Sequence, residues 1–185
     1  MKNVYVFLAN GFEEIEALTI VDVLRRGEIP TYTISITDRK EVVGAHNISV
    51  MADLLFDEKN LNDSEMLILP GGMPGASNLL NHSGLTTLLK NAEAQKGNIA
   101  AICAAPMVLG SLDILKGKNA VCYPGFEDKL KGAKILYDPV CNDQNVITGR
   151  GPGAAIQFAL EIMNKLKGKN VADDLAGKML VTKWY

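Results

Sequence analysis

Four short runs of apolar and β-branched residues each stop at a turn carrying side chains or backbone suited to chemistry. This repetition narrows the folds open to the chain. KNVYVFLA (2–9) runs into NGFEEIE, EMLILPGG (65–72) into LPGGMPG, NIAAIC (98–103) into ICAAP, and VITG (146–149) into TGRGPG. Between such runs lie stretches with helical signals. EEIEALTIVDVLRRG (13–27) has acidic residues at its start, Arg25 and Arg26 at its end and Gly27 as its C-cap. SGLTTLLKNAEAQKG (83–97) places Ser83 near its N-cap. Strands alternating with helices point to a mostly parallel sheet covered on both faces. The expected fold is one three-layer α/β/α domain over residues 1–185. In open sheets of this kind sites form beyond the carboxyl ends of the strands, so the four turns are expected to converge.

The remaining elements fit the same plan. TYTISI (31–36) and NAVC (119–122) read as strands, and EVVGAHNISVMAD (41–53) reads as a hairpin turning at Gly44. PMVLGSL (106–112) starts a helix. PGAAIQFALEIMNKLKG (152–168) is a periodic helix with Ile156, Ala159, Leu160 and Met163 on one face, and NVADDLAGKML (170–180) is a short last helix.

Composition excludes several classes of function. A hydrophobic share of 48% and a charged share of 22% are ordinary for a globular protein, and a net charge of −2 without a basic cluster offers no nucleic-acid surface. No apolar run reaches the length of a bilayer span, and no membrane role is expected. Cys103, Cys122 and Cys141 form an odd set without CxxC spacing, which reads as free thiols in a reducing compartment, with the cytoplasm as the expected address. His46 and His82 have no ligand-spaced partners, so no metal site is expected. GRGPGA (149–154) meets the dinucleotide fingerprint only in outline, because no complete βαβ unit follows it. A Gly-Pro helix start explains it more simply, and no cofactor is expected.

Cys103 sits between small residues at a strand end, three residues before Pro106. A sharp strand-to-helix turn around a nucleophile needs small neighbours, and Ala101, Ala104 and Ala105 supply them. The dipole at the start of a helix is expected to lower the pKa of such a thiol. A buried cysteine acting as a small hydrophobe is the ordinary alternative. Gly71 and Gly72 allow backbone N–H groups to approach an oxyanion, or else form a plain tight turn. Glu13 and Glu14 suit a solvated first turn, whereas Glu16 lies in the apolar body of its helix. A partly buried carboxyl there has a raised pKa and can hold a proton beside a thiolate.

Taken in order, GFEEIEA, VDVLRRG, LPGGMPGA, AAICAAP and GRGPGAAIQFAL resemble the ThiJ/PfpI superfamily, most closely its DJ-one group, through nearly the whole chain. The resemblance implies a flavodoxin-like sandwich with a nucleophile elbow, usually in a homodimer. It places Cys103 on the elbow cysteine, Glu16 on the carboxyl that hydrogen-bonds the thiolate, and Gly72 and Ala104 on the oxyanion-binding N–H positions. Two departures stand out. VCYPG puts Tyr123 where many members carry a histidine, and tyrosine, with an unperturbed pKa of about 10, is a poor base at neutral pH. GAHNIS puts His46 where members carry a residue reaching across the dimer. Tyr123 and His46 are therefore auxiliary candidates.

By resemblance, the leading expectation is a cofactor-free, glutathione-independent enzyme acting on small reactive dicarbonyls, as a glyoxalase or deglycase. A redox sensor or chaperone using the same cysteine is the second reading. An amidase or peptidase is the third, and Tyr123 weakens it.

Overall fold

The computed structural model describes residues 2–185. The first half comprises β1 (Asn3–Leu8), α1 (Glu14–Arg26), β2 (Thr31–Ser35), β3 (Glu41–Val43), β4 (Ser49–Met51), β5 (Leu54–Leu55), β6 (Ser64–Leu69), α2 (Gly75–Asn81) and α3 (Ser83–Ala94). The second comprises β7 (Asn98–Ile102), α4 (Pro106–Ser111), β8 (Asn119–Ala120), β9 (Lys134–Ile135), β10 (Val140–Asp143), β11 (Val146–Gly149), α5 (Ala155–Lys167) and α6 (Lys169–Lys178).

The main sheet runs β10-β11-β7-β6-β1-β2-β5 and is parallel except for β10, which pairs antiparallel with β11. Alternation along β1 serves both layers at once. Val4, Val6 and Leu8 face α1, α5 and α6, while Tyr5 and Phe7 face α2, α3 and α4. These strands read as continuous apolar runs because both faces of the sheet are covered. The expected mostly parallel three-layer sandwich is what the chain forms.

Helix α1 buries Ala17, Ile20, Val21 and Leu24 at helical spacing and ends where the Gly27 N–H donates to the Val23 carbonyl. The Lys167 ammonium then donates to the Gly27 carbonyl at 2.8 Å, so this lysine ties two helix ends together. Helix α5 buries Ala155, Phe158, Ala159, Ile162 and Met163, whereas Ile156 is exposed. The expected face was thus one position out of phase at its start, because Phe158 sets the side that meets the sheet.

Other expectations shift as well. Ser83 is the first residue of α3, as its place near the N-cap implied, and the cap itself is His82, whose Nδ1 accepts from the Leu85 N–H at 3.0 Å. The NAVC run gives only the two-residue β8, which pairs with β9 outside the main sheet. Helix α2 and edge strand β10 were not anticipated: GASNLLN lacks a polar cap and VCND is half polar.

Strands β1, β6, β7 and β11 are consecutive neighbours in the sheet, and their registers bring the C-terminal residues Ile102 and Gly149 side by side. The four chemistry-bearing turns therefore meet at one edge. Strand order reverses direction at β1, where crevices form in open parallel sheets.

Candidate active site

Cys103 occupies the first position after β7 with φ of 66°, in the left-handed region that non-glycine residues rarely adopt. Both of its backbone groups are held. Its N–H donates to the Gly149 carbonyl, and its carbonyl accepts from the Tyr123 N–H, each at 2.9 Å. Tyr123 is kept there because Thr148 Oγ1 accepts from the Val121 N–H two residues earlier. Ala104 and Ala105 are buried and leave the turn room to close.

The glycines after β6 make the close approach possible. A Cβ on Gly71 would fall 2.5 Å from the Cys103 Cβ and 2.7 Å from Glu16 Oε2. No other residue fits between the nucleophile and the carboxyl. Gly72 has φ of 89°, and it directs its N–H at the Cys103 sulfur together with the N–H of Ala104. The two expected oxyanion positions therefore converge on one atom.

Glu16 is wholly buried. Its Oε2 accepts from the Gly71 N–H at 2.8 Å, a role for Gly71 that sequence reading did not assign. Its Oε1 has no hydrogen-bond partner of conventional length, and the side chain that faces the carboxyl is the Cys103 thiol. Burial raises the carboxyl from 4.5 to about 7, against the opposing bonds from Gly71 and Cys103.

The thiol moves contrary to the expectation from the helix dipole. Burial, and then the charge of Glu16, push Cys103 up to about 12, while the N–H groups of Gly72 and Ala104 pull it down. The helix dipole is outweighed by burial first and by the neighbouring carboxylate second. Two anions cannot share this pocket, so near neutral pH the pair carries at most one negative charge, and when it does, one proton is shared between sulfur and oxygen. Putting that proton on Glu16 removes the repulsion and leaves the sulfur facing two N–H donors.

The auxiliary residues separate. The Tyr123 side chain is half exposed and lies over Gly151, where a Cβ would meet its ring at 3.2 Å. Among the described residues its hydroxyl makes no hydrogen bond. His46 lies in the turn between β3 and β4. Its Nδ1 meets Glu14 Oε2 at 2.8 Å, and its backbone N–H donates to Glu14 Oε1 at 2.7 Å. No histidine bonds to Cys103 among the described residues. Glu14, expected on a solvated turn, is instead buried beneath this hairpin. Burial acts to raise its pKa, but the two bonds from His46 prevail and hold it below 4.5. The fold also brings ligand atoms of Glu13, Glu14 and His46 within 4.8 Å of one another, which spacing along the chain did not reveal. Both Glu14 oxygens there are already engaged by His46.

Known proteins resemble this chain in sequence and in fold. Protein DJ-1alpha of Drosophila melanogaster is 38% identical over 184 residues, covering 98% of this chain and 85% of its own. A glutathione-independent glyoxalase, DJR-1.2 of Caenorhabditis elegans, is 34% identical over 174 residues, or 92% of this chain and 91% of its own. Against two longer homologues from Arabidopsis thaliana the chain spans 41% and 47% of their lengths. The solved structure of oxidized Toxoplasma gondii DJ-1 superposes with a TM-score of 0.92 at 35% identity, covering 99% of this chain and 100% of the other. These relatives and the elbow geometry support a cysteine enzyme or redox protein. No helix among the described residues is long and apolar enough to cross a membrane. The family model for DJ-1/PfpI matches residues 2–165, and the chain belongs to the DJ-1/PfpI family.

Proposed function

We propose that this protein is a cofactor-free, glutathione-independent glyoxalase that converts methylglyoxal to lactate. The observation that carries the reading is the buried Glu16 carboxyl, raised to about 7, against a sulfur faced by the Gly72 and Ala104 N–H groups. The Cys103 thiolate adds to the aldehyde carbon, forming a C–S bond and an oxyanion that takes up a proton to give the hemithioacetal. Glu16 as carboxylate removes the proton from that carbon, giving an enediol, and returns it to the neighbouring carbon. The first carbon is thereby oxidised to a thioester and the second reduced to an alcohol. Water cleaves the thioester, releasing lactate and restoring the thiol. The same addition chemistry suits early glycation adducts, a deglycase variant of this activity.

The test follows methylglyoxal loss and lactate formation without glutathione, in the native protein and in Cys103→Ala. Turnover confined to the native protein supports the reading. Equal turnover in both, or none in either folded protein, overturns it.

A redox role for Cys103 rests on the same pocket. Peroxide would oxidise the thiolate to sulfenate with release of water, and a second peroxide would give the sulfinate, whose oxygens Glu16 and the two N–H groups can bind. Mass spectrometry after mild peroxide treatment should then find two added oxygens at Cys103 before Cys122 or Cys141. Equal oxidation of all three counts against the role.

The exposed apolar side chains Ile15 and Leu18 of α1, with Ile48 and Met51 of the β3–β4 hairpin, lie on elements clasped by Glu14 and His46. We infer that a second copy covers this face. Light scattering should give a dimer mass, and Ile15→Asp a monomer; a monomeric native protein contradicts this.

A further inference from the structure

Next to the elbow lies a separate cleft of about 440 Å³ that includes neither Cys103 nor Glu16 in its lining. Its walls are Tyr123, Tyr137, Pro139, Pro152 and Gln157, with Arg150 as its only charged lining residue. The cleft starts at the backbone of the nucleophile on two sides. Tyr123 donates its N–H to the Cys103 carbonyl, and Arg150 directly follows Gly149, whose carbonyl accepts from the Cys103 N–H. A molecule reacting at the sulfur and extending past Tyr123 would enter this space.

Arg150 is held in place before any ligand arrives. Its backbone N–H donates to the Pro139 carbonyl at 2.9 Å and its Nη1 to the Tyr137 carbonyl at 2.6 Å. Its guanidinium lies 5.6 Å from the centre of the Tyr137 ring. Among the described residues, Nε and Nη2 donate to no protein acceptor. They leave a planar fork free, a shape that matches a carboxylate. The acidic side chains nearest along the chain are engaged elsewhere: Asp143 accepts from the Asn119 backbone N–H and Nδ2, and Glu161 accepts from Asn142 and Asn164. Glu127 accepts from the Gly125 N–H, and Asp138 lines a different concavity with Trp184. Two tyrosine rings and three prolines, Pro124, Pro139 and Pro152, suit a flat apolar body, and the fixed guanidinium suits an anion.

We propose that this cleft is the subsite for the non-reacting end of a larger carbonyl substrate, and that it selects an aromatic body bearing a carboxylate. This inference rests on the dicarbonyl reading for the reacting end alone. Arg150 then acts as a specificity residue that binds the carboxylate, and Tyr137 supplies a face against the ring.

The experiment has a binding arm that needs no turnover. In Cys103→Ala protein, NMR titration with para-acetylbenzoate should shift the amides of Tyr137, Arg150 and Gly151, with the matching neutral amide binding roughly tenfold more weakly. Adding Arg150→Gln should erase that preference, and Arg150→Lys should restore part of it. Loss of the Tyr137 carbonyl bond alone would lower stability without changing a ratio between two ligands. Equal binding of acid and amide, shifts elsewhere, or a preference that survives Arg150→Gln overturns the subsite.

The kinetic arm compares initial kcat/KM for para-carboxyphenylglyoxal and phenylglyoxal. A ratio near ten in the native protein that falls toward one in Arg150→Gln supports the proposal. Turnover of both with a ratio of one overturns it. Carboxylate-selective binding without turnover of either compound refutes the dicarbonyl reading and leaves the subsite standing.

Discussion

Glu14 and Glu16 stand two residues apart on one helix, both buried, and their surroundings drive them in opposite directions. Glu14 meets a histidine ring and a backbone N–H, which hold it ionised despite burial. Glu16 meets one N–H and a thiol, and burial raises it to about 7. The difference lies in what each side of α1 packs against. One side receives a polar hairpin turn with a partly exposed imidazole. The other closes over the elbow, where any charge on the carboxyl competes with charge on the sulfur. A buried carboxyl becomes structural or chemical according to whether it has a cationic partner.

The largest expected effect removes the sulfur from this comparison. Cys103→Ala should lower glutathione-free methylglyoxal turnover by about a thousandfold or more. The same change removes the thiol whose hydrogen bond lowers the Glu16 pKa, so Glu16 should titrate no lower than before. Next comes Glu16→Gln, which keeps the Gly71 bond and should lose roughly a hundredfold in turnover, within the usual range for a general acid–base group.

The same variant reads out linkage. A carboxyl raised from 4.5 to about 7 on folding favours the native state at low pH. Its contribution is fully present below 4.5 and is lost as pH rises to about 7. The size is on the order of 3 kcal/mol, from roughly 1.4 kcal/mol for each unit. The native protein should therefore lose melting temperature across this window relative to Glu16→Gln, and parallel curves would contradict the raised pKa.

Gly71→Ala comes third. Its new methyl meets both the Cys103 Cβ and Glu16 Oε2, so thermal melts should show a loss of about 1–3 kcal/mol, with turnover reduced by tens of fold.

The Glu14 side yields the smallest effects and the opposite acid response. A carboxyl lowered on folding stabilises above its ordinary 4.5, and that contribution is lost as pH falls. His46, raised by Glu14 and then Glu13, loses its share as pH rises past its ordinary 6.5. Glu14→Gln should flatten the acid limb of a melting-temperature profile, and His46→Ala should speed amide exchange in the turn around Gly44–Ile48. Unchanged exchange there would remove the clasp from the account.

Much of this was legible in the chain. The apolar runs predicted the sheet because strands covered on both faces need little alternation, and the small residues at their ends suggested a tight elbow at Cys103, while the pairing of Gly72 with Ala104 came from the family resemblance. Glu16 stood out because charge inside an apolar helix face is uncommon. What escaped the sequence depends on distant neighbours. The burial of Glu14 comes from a hairpin about thirty residues away, and the thiol is raised by its burial and then by Glu16, which together outweigh the dipole of its own helix. Arg150 lies in the GRGPGA run, which reads in the sequence as no more than a Gly-Pro helix start. Its meaning emerges only when Tyr137 and Tyr123 fold around it. The short β8 and β9 pair owes its place to tertiary packing, with no strong local pattern to announce it.

The most direct test of the central contrast is a carbon-13 NMR titration of the glutamate carboxyls, with Glu14→Gln and Glu16→Gln assigning the two signals. The account predicts that Glu16 titrates at about 7 and Glu14 below 4.5. A Glu16 signal that titrates at the ordinary 4.5, alongside Glu14, would contradict it and leave Cys103 without its proton carrier.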